Sequence, residues 1–136
     1  MKHELRSGCP IAASLDILGD RWTLLILRDM LFDDRVRFSE LASNESIATN
    51  ILADRLSRLV HLGMIEKVND PEDGRRVIYR PLQPAIDLMP VLAEFVAWGI
   101  RYTQVPESPQ FAPLAEEKSR RAFVKARMKR LSAGAG

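Results

Sequence analysis

The chain predicts a mainly α-helical fold carrying one small β-hairpin, an α+β arrangement of winged helix-turn-helix type. Three observations predict it. Apolar residues Ile51, Leu52, Leu56, Leu59, Val60 and Leu62 recur at helical spacing, while Thr49, Asn50, Ala53, Asp54, Ser57, Arg58 and His61 fall on the other side. Gly63 follows as a stop signal, and two strand-like runs, Met64 to Asn69 and Arg75 to Leu82, flank the charged turn DPEDGR with its Asp-Gly pair. Upstream, a short helical run from Ser39 to Ala42 and the polar turn SNES place a second, outward-facing helix at about Thr49 to Leu62.

The remaining elements follow from caps and periodicity. Cys9-Pro10 opens a first helix, because a proline in the first turn lacks only an N–H that has no intrahelical partner anyway. Ile11, Leu15 and Leu18 form its apolar stripe and Gly19 ends it. Asp20 is a suitable N-cap for the next helix, Arg21 to about Phe32, which is apolar almost all round and so predicts the central core. Val36, Arg37 and Phe38 read as a very short strand, and Ser39 as the cap of the short helix after it. Beyond the hairpin a long helix is expected from about Pro84 to Tyr102. Its apolar residues cover more than one face, and the surplus points to a partner surface, most simply a second copy of the chain. These readings divide the chain into an N-terminal arm (1–8), the main domain (9–102), a Pro-rich linker (103–113) and a basic C-terminal helix with a frayed end (114–136).

Composition narrows the function. At 136 residues, 46% hydrophobic and 28% charged, the chain has globular proportions, enough for one ordinary domain. The net charge of +2 is unevenly spread, +5 from Phe111 to Gly136 and −3 before it. A nucleic-acid-binding body of that sign requires its cations gathered on one face. One cysteine permits no internal disulfide, no Cys/His spacing suits zinc, and no Gly-rich phosphate loop or paired nucleophile and base supports an enzyme. No cofactor is expected. The absence of a membrane-length apolar run or a signal-peptide core predicts a cytoplasmic protein with no membrane partner.

The outward helix therefore reads as a double-stranded-DNA reader. Asn50 suits adenine, the methyls of Thr49 and Ala53 suit thymine, and Asp54 suits cytosine. Capping by Thr49 and Asn50 is the plainer alternative. Arg58 is favoured for phosphate or base contact over Arg55, which is expected partly inward in a salt bridge. Arg75 and Arg76 at the hairpin tip suit a minor groove or phosphates, against an ion pair with Glu72 or Asp73. Phe95, Trp98 and Trp22 are more naturally core than the wall of an effector pocket. The competing function class is a winged-helix protein-interaction module without sequence-specific DNA binding.

In this order, Cys9-Pro10, LGDRWTLLILRDML, Arg37-Phe38-Ser39-Glu40-Leu41, IATNILADRLSRLVHLGMIEK and the Pro-Val-Leu helix ending in Trp98 resemble the HxlR-type winged-helix regulators related to the MarR group, over about residues 9 to 102. The resemblance implies a homodimeric transcriptional regulator, a repressor by expectation, on a pseudo-palindromic operator. It implies an interface made by the N-terminal helix and the 84–102 helix, with Arg21 and Arg37 presented to the DNA backbone. It also implies release by an electrophile, oxidant or small ligand, and makes Cys9 a candidate redox sensor. The positive end of a helix favours the thiolate, and Lys2, His3 and Arg6 push the same way; a plain packing role at the dimer interface is the alternative. Two departures stand out. Ala48 replaces a frequent capping serine, a role Thr49 is expected to take over, and the basic tail after Ser108 lies outside the resemblance.

Overall fold

The computed structural model describes residues 6–134, which fall into two units, one ending at Leu82 and the other beginning at Gln83. In the first unit, α1 (Pro10–Leu18) starts at Cys9 and ends at Gly19, as the proline and glycine dictate. α2 (Thr23–Asp33) is the core helix, with Ile26, Leu27, Met30 and Leu31 essentially sealed from solvent. It starts two residues later than Asp20 alone would suggest, because Asp20 works across a longer gap. Its carboxylate accepts from the Trp22 and Thr23 amides at 3.0 and 3.2 Å and from the Thr23 hydroxyl at 2.5 Å.

The connection to the next long helix departs from expectation. Val36 to Phe38 is not a strand. The Val36 carbonyl accepts one hydrogen bond from the Tyr79 amide at 2.8 Å, after which the chain turns into a 3₁₀ segment, Phe38–Glu40. Ser39 does not cap it; the Glu40 carboxylate instead reaches back to the Arg37 amide at 3.1 Å. The expected short helix is thus two 3₁₀ turns, Phe38–Glu40 and Ser43–Glu45, interrupted at Ala42 with φ 52°. The cause lies elsewhere in the chain. The Ala42 amide donates to the buried Asp29 carboxylate at 2.5 Å, which holds the residue in the left-handed region.

α3 (Thr49–His61) buries Leu52, Leu56 and Leu59, with Ile51 and Val60 half-buried beside them. Gly63, at φ +75°, closes it: its amide reaches Val60 and the Met64 amide reaches Leu59, a paired arrangement that satisfies the last carbonyls. Strands β1 (Ile65–Asn69) and β2 (Val77–Pro81) pair antiparallel, with Lys67 opposite Tyr79. Their connection, residues 70–76, is longer than an Asp-Gly two-residue turn. Asp73 and Gly74 begin a turn closed by the Arg76 amide on Asp73, so Gly74 has no positive φ to supply.

In the second unit the long helix expected from Pro84 to Tyr102 is broken. α4 (Gln83–Ile86) and α5 (Met89–Tyr102) are separate because Pro90, within the first turn of α5, has no N–H to donate to the Ile86 carbonyl. The Leu88 amide turns instead to Ala85 at 3.0 Å. Residues 103–113 are expected to form a linker; at their end a 3₁₀ turn, Ala112–Leu114, buries Leu114 completely. α6 (Glu117–Gly134) follows and packs on α4, α5 and that turn.

Asp20 also accepts from Arg55 Nε on α3 at 2.9 Å, joining the start of α2 to the middle of α3. Partial burial pushes its carboxyl up, but the Thr23 hydroxyl, Arg55 and the two amides outweigh this and hold it at about 2, against an ordinary 3.8. A depressed folded value stabilises above the unfolded value and is lost as pH falls through the folded one. Urea unfolding is expected to show a loss of about 1 kcal/mol between about pH 4 and 2, reduced from the full linkage value by solvent screening. Asp20→Asn removes that loss; an unchanged profile in the variant refutes the assignment.

Candidate nucleic-acid interface

The exposed side of α3 carries Thr49, Asn50, Ala53, Asp54, Ser57 and His61, at spacings that keep them on one helical face. Thr49 is the first residue of the helix and not its cap. Ala48 is the N-cap and brings no side-chain acceptor, so the expected one-residue shift does not occur. The Ala48 carbonyl receives the Ile51 and Leu52 amides at 3.1 and 3.0 Å. This leaves the positive end of α3, with the side chains of Thr49 and Asn50, open to an anionic ligand or a base edge. Asp54 is exposed but engaged, accepting from Arg55 Nη1 at 2.6 Å.

The arginines divide into braces and free cations. Arg55 lies inward as expected, held between Asp20 and Asp54. Arg58, expected to be the more available of the two, is also half-buried and donates to the Asp16 carbonyl near the end of α1. It therefore ties α1 to α3. Arg37 pairs with Asp70 at 3.1 Å; Asp70 is buried and also accepts the Glu72 amide at 2.9 Å, so this pair fixes the base of the hairpin loop. Arg21 is exposed, its guanidinium 5.2 Å from the Trp22 ring centre. Arg75 and Arg76 are exposed at the loop tip, each with Asp73 as ion-pair partner at 3.4 and 3.6 Å. With the Arg75 side chain 94% exposed, such a pair contributes little and yields readily to a phosphate.

The braces Asp20, Asp29, Glu45 and Asp70 were not singled out as site-shaping residues from the sequence. For Asp29 there was a signal, a carboxylate next to Arg28 in the middle of a helix that is apolar almost all round. Cys9 is exposed at the N-cap of α1. Lys2 and His3, expected to influence it, lie outside the described residues, and Arg6 is taken up by Asp16. On α5, Val91, Phe95, Trp98 and Tyr102 form one exposed stripe, Phe95 and Trp98 each about 60% accessible. On α1, Ile11 and Leu15 are likewise exposed. No group of metal-ligating side chains occurs among the described residues, and no helix there is long and apolar enough to cross a membrane.

Comparison with known proteins agrees with this geometry. Residues 17–107 match the HxlR-like helix-turn-helix family. An HTH-type transcriptional regulator of Mycobacterium tuberculosis, MT3179, is 38% identical over 102 residues, covering 75% of this chain and 64% of that protein. YodB, a transcriptional regulator of Bacillus subtilis, is 31% identical over 98 residues, covering 71% and 87%. The crystal structure of PA1607 superposes with a TM-score of 0.68 at 37% identity, covering 76% of this chain and 71% of that one. The reduced form of YodB superposes at 0.56 and 27% identity, covering 74% and 100%, and YodB has also been solved after diamide treatment. The matched family, the two-stranded hairpin and the outward helix α3 agree, and the chain belongs to the HxlR-like helix-turn-helix family.

Proposed function

We propose that the chain is a DNA-binding transcriptional regulator that reads a pseudo-palindromic operator as a homodimer and represses from it. The observation that carries this is the open N-terminal face of α3, where the side chains of Thr49 and Asn50 are exposed and have no competing partners among the described residues. In this reading Thr49, Asn50, Ala53 and Asp54 meet base edges, while Arg75, Arg76 and Arg21 meet phosphates. Arg37 and Arg58 act chiefly by holding the hairpin loop and α3 in place, with any direct contact to DNA secondary. The apolar faces of α5 and α1 support pairing of two copies, since stripes of that kind are costly to leave in water. A winged-helix module that binds only protein draws support from the −3 charge of residues 1–110.

Footprinting on the segment upstream of the chain's own gene separates the two readings: a protected, roughly symmetric site with salt-sensitive affinity is expected. No protection, with no preference over scrambled duplex, leaves the protein-binding reading standing. Asn50→Ala is expected to reduce operator preference roughly tenfold or more, as loss of a two-bond adenine contact would. Arg76→Ala is expected to weaken operator and scrambled duplex alike, with a salt slope shallower by about 0.9. Identical profiles for the two variants refute the division of roles.

Dimerisation is tested by Phe95→Glu with Trp98→Glu, which places charge in the exposed stripe of α5. Sedimentation is expected to shift from two chains to one, with operator affinity falling more than tenfold as the second half-site is lost. A wild-type monomer, or an unaffected dimer in the variant, overturns this part.

Cys9 is proposed as the oxidant-responsive group. The support is its exposure at a helix N-terminus and the existence of reduced and diamide-treated forms of the relative YodB. Diamide, reduced as it takes the two thiol hydrogens, is expected to join the Cys9 sulfurs of two copies in a disulfide and release wild-type protein from the operator, and to leave Cys9→Ser bound. Full release of the variant rules Cys9 out.

A further inference from the structure

α6 begins at Glu117, beyond the family match that ends at residue 107, so its surface has no counterpart in the matched family pattern. Its two faces differ sharply. Phe123, Val124, Met128 and Leu131 are half-buried along one side, and Arg120 on that side is anchored to Glu94 at 2.9 Å and to the Leu114 carbonyl at 3.0 Å. Diametrically opposite, Lys118, Lys125 and Lys129 are exposed and fall within about 40° of one another around the helix axis. Arg121 lies on the margin of that face, paired at 2.9 Å with Glu117 on the adjoining turn.

None of the three lysines has an ion-pair partner among the described residues. No acidic side chain stands three or four residues from Lys125 or Lys129, and these two are themselves a like-charged i,i+4 pair, an arrangement that weakens a helix slightly in isolation. A polyanion laid along the face removes that repulsion. The line runs about 16 Å from Lys118 to Lys129, and duplex DNA presents one phosphate charge per about 1.7 Å of its axis, so several phosphates fall within reach. The residues between the lysines on this face are Ala122 and Ala126. They offer no long apolar side chain to insert into a lipid surface.

We infer that the outer face of α6, Lys118, Lys125 and Lys129, is a second DNA-contacting surface that engages the phosphate backbone without reading sequence. The inference rests on the DNA-binding reading above but concerns different residues and a different kind of contact. It accounts for a +5 segment attached to a body of the opposite sign.

The test uses the full chain, a scrambled duplex of about 40 base pairs, and the triple variant Lys118→Gln, Lys125→Gln, Lys129→Gln, with affinity followed across salt concentration. The plot of log affinity against log salt is expected to become shallower by about 0.9 per lost contact, hence about 2.7 per protomer, with affinity at least tenfold lower near 0.1 M salt. Preference for the protected genomic segment over scrambled DNA is expected to be unchanged. The Lys→Arg triple variant is expected to keep the wild-type slope. Lys125→Gln alone is expected to remove about one third of the effect, which gives a second reading with minimal perturbation of the helix. A wild-type slope in the Gln variant overturns the inference while leaving the function of α3 intact. Failure of the wild-type chain to bind duplex at low salt overturns both. Loss of binding to phosphatidylserine vesicles in the Gln variant, with the DNA slope unchanged, assigns the face to a membrane surface and also overturns it.

Discussion

The first unit is organised around one carboxylate. Asp29 is fully buried on α2, and its two oxygens are divided between the Arg28 guanidinium, at 2.9 to 3.0 Å, and the Ala42 amide, with Arg35 at 3.7 Å. Arg28 passes the link on to Glu45 at 2.9 Å, and Arg35 to the Glu40 carbonyl and the Ser43 hydroxyl. An isolated buried charge costs several kcal/mol, so the arrangement is stable only when all these partners are in place together. That requirement makes the whole segment between α2 and α3 cooperative. Left-handed backbone at Ala42 and Ser46 costs of the order of 1 kcal/mol each, and for Ala42 the Asp29 hydrogen bond offsets it. Asp29 thereby holds the connection that leads into α3, while the burial of Leu52, Leu56 and Leu59 sets which face of α3, that of Thr49 and Asn50, points outward.

The same economy of pairing explains which cations remain for a ligand. Sequence alone offers arginines at 21, 37, 55, 58, 75 and 76, all of one chemistry. Folding sorts them by whether an acceptor lies within reach from another element. Asp20, the Asp16 carbonyl and Asp70 capture Arg55, Arg58 and Arg37, each joining segments far apart in the chain. Among the described residues, Arg75 and Arg76 pair with Asp73 in their own turn, and Arg21 lies against the neighbouring Trp22 ring. A local exposed pair is weak, whereas a long-range half-buried one is part of the scaffold. The division into braces and ligand-facing cations is therefore a tertiary property.

This also marks how far the sequence could be read. The buried stripe of α3, its stop at Gly63, the proline start of α1, the core character of α2 and the pairing of two strands were all legible, because each is set by periodicity or by a residue's own backbone preference. The apolar surplus of α5 was legible, but Phe95 and Trp98, expected in the core, are each about 60% exposed, because periodicity alone does not say which side of the helix meets the rest of its unit. Three features were not. The break at Ala42 between the two 3₁₀ turns depends on Asp29, 13 positions earlier. The brace role of Arg58 depends on a carbonyl 42 positions distant. The break before α5 did have a local cause, since Pro90 is visible in the sequence, but the strong apolar pattern on both sides masked it. Among the candidate site residues, the face formed by Thr49, Asn50, Ala53 and Asp54 was foreseeable from spacing, while the state of each arginine was not.

The charge distribution then has a physical logic that net charge conceals. The face of α3 is close to neutral: Thr49, Asn50, Ala53 and Ser57 carry no charge, and Asp54 is compensated by Arg55. On the proposed DNA-binding reading, such a surface gains little from non-specific attraction to phosphates, so its contribution to affinity would depend on matching base edges. In the proposed function the wing-tip arginines, and in the inference drawn from α6 its lysine face, supply the opposite kind of free energy, similar for every sequence and strongly dependent on salt. Because discrimination is a difference between affinities, the sequence-blind part raises occupancy of the correct site and of random sites by the same factor and cancels from the ratio. A reader helix carrying more positive charge would raise the random-site term along with the specific one. On the proposed reading, tying Arg55 and Arg58 into the scaffold leaves selectivity to a few uncharged side chains at the start of α3.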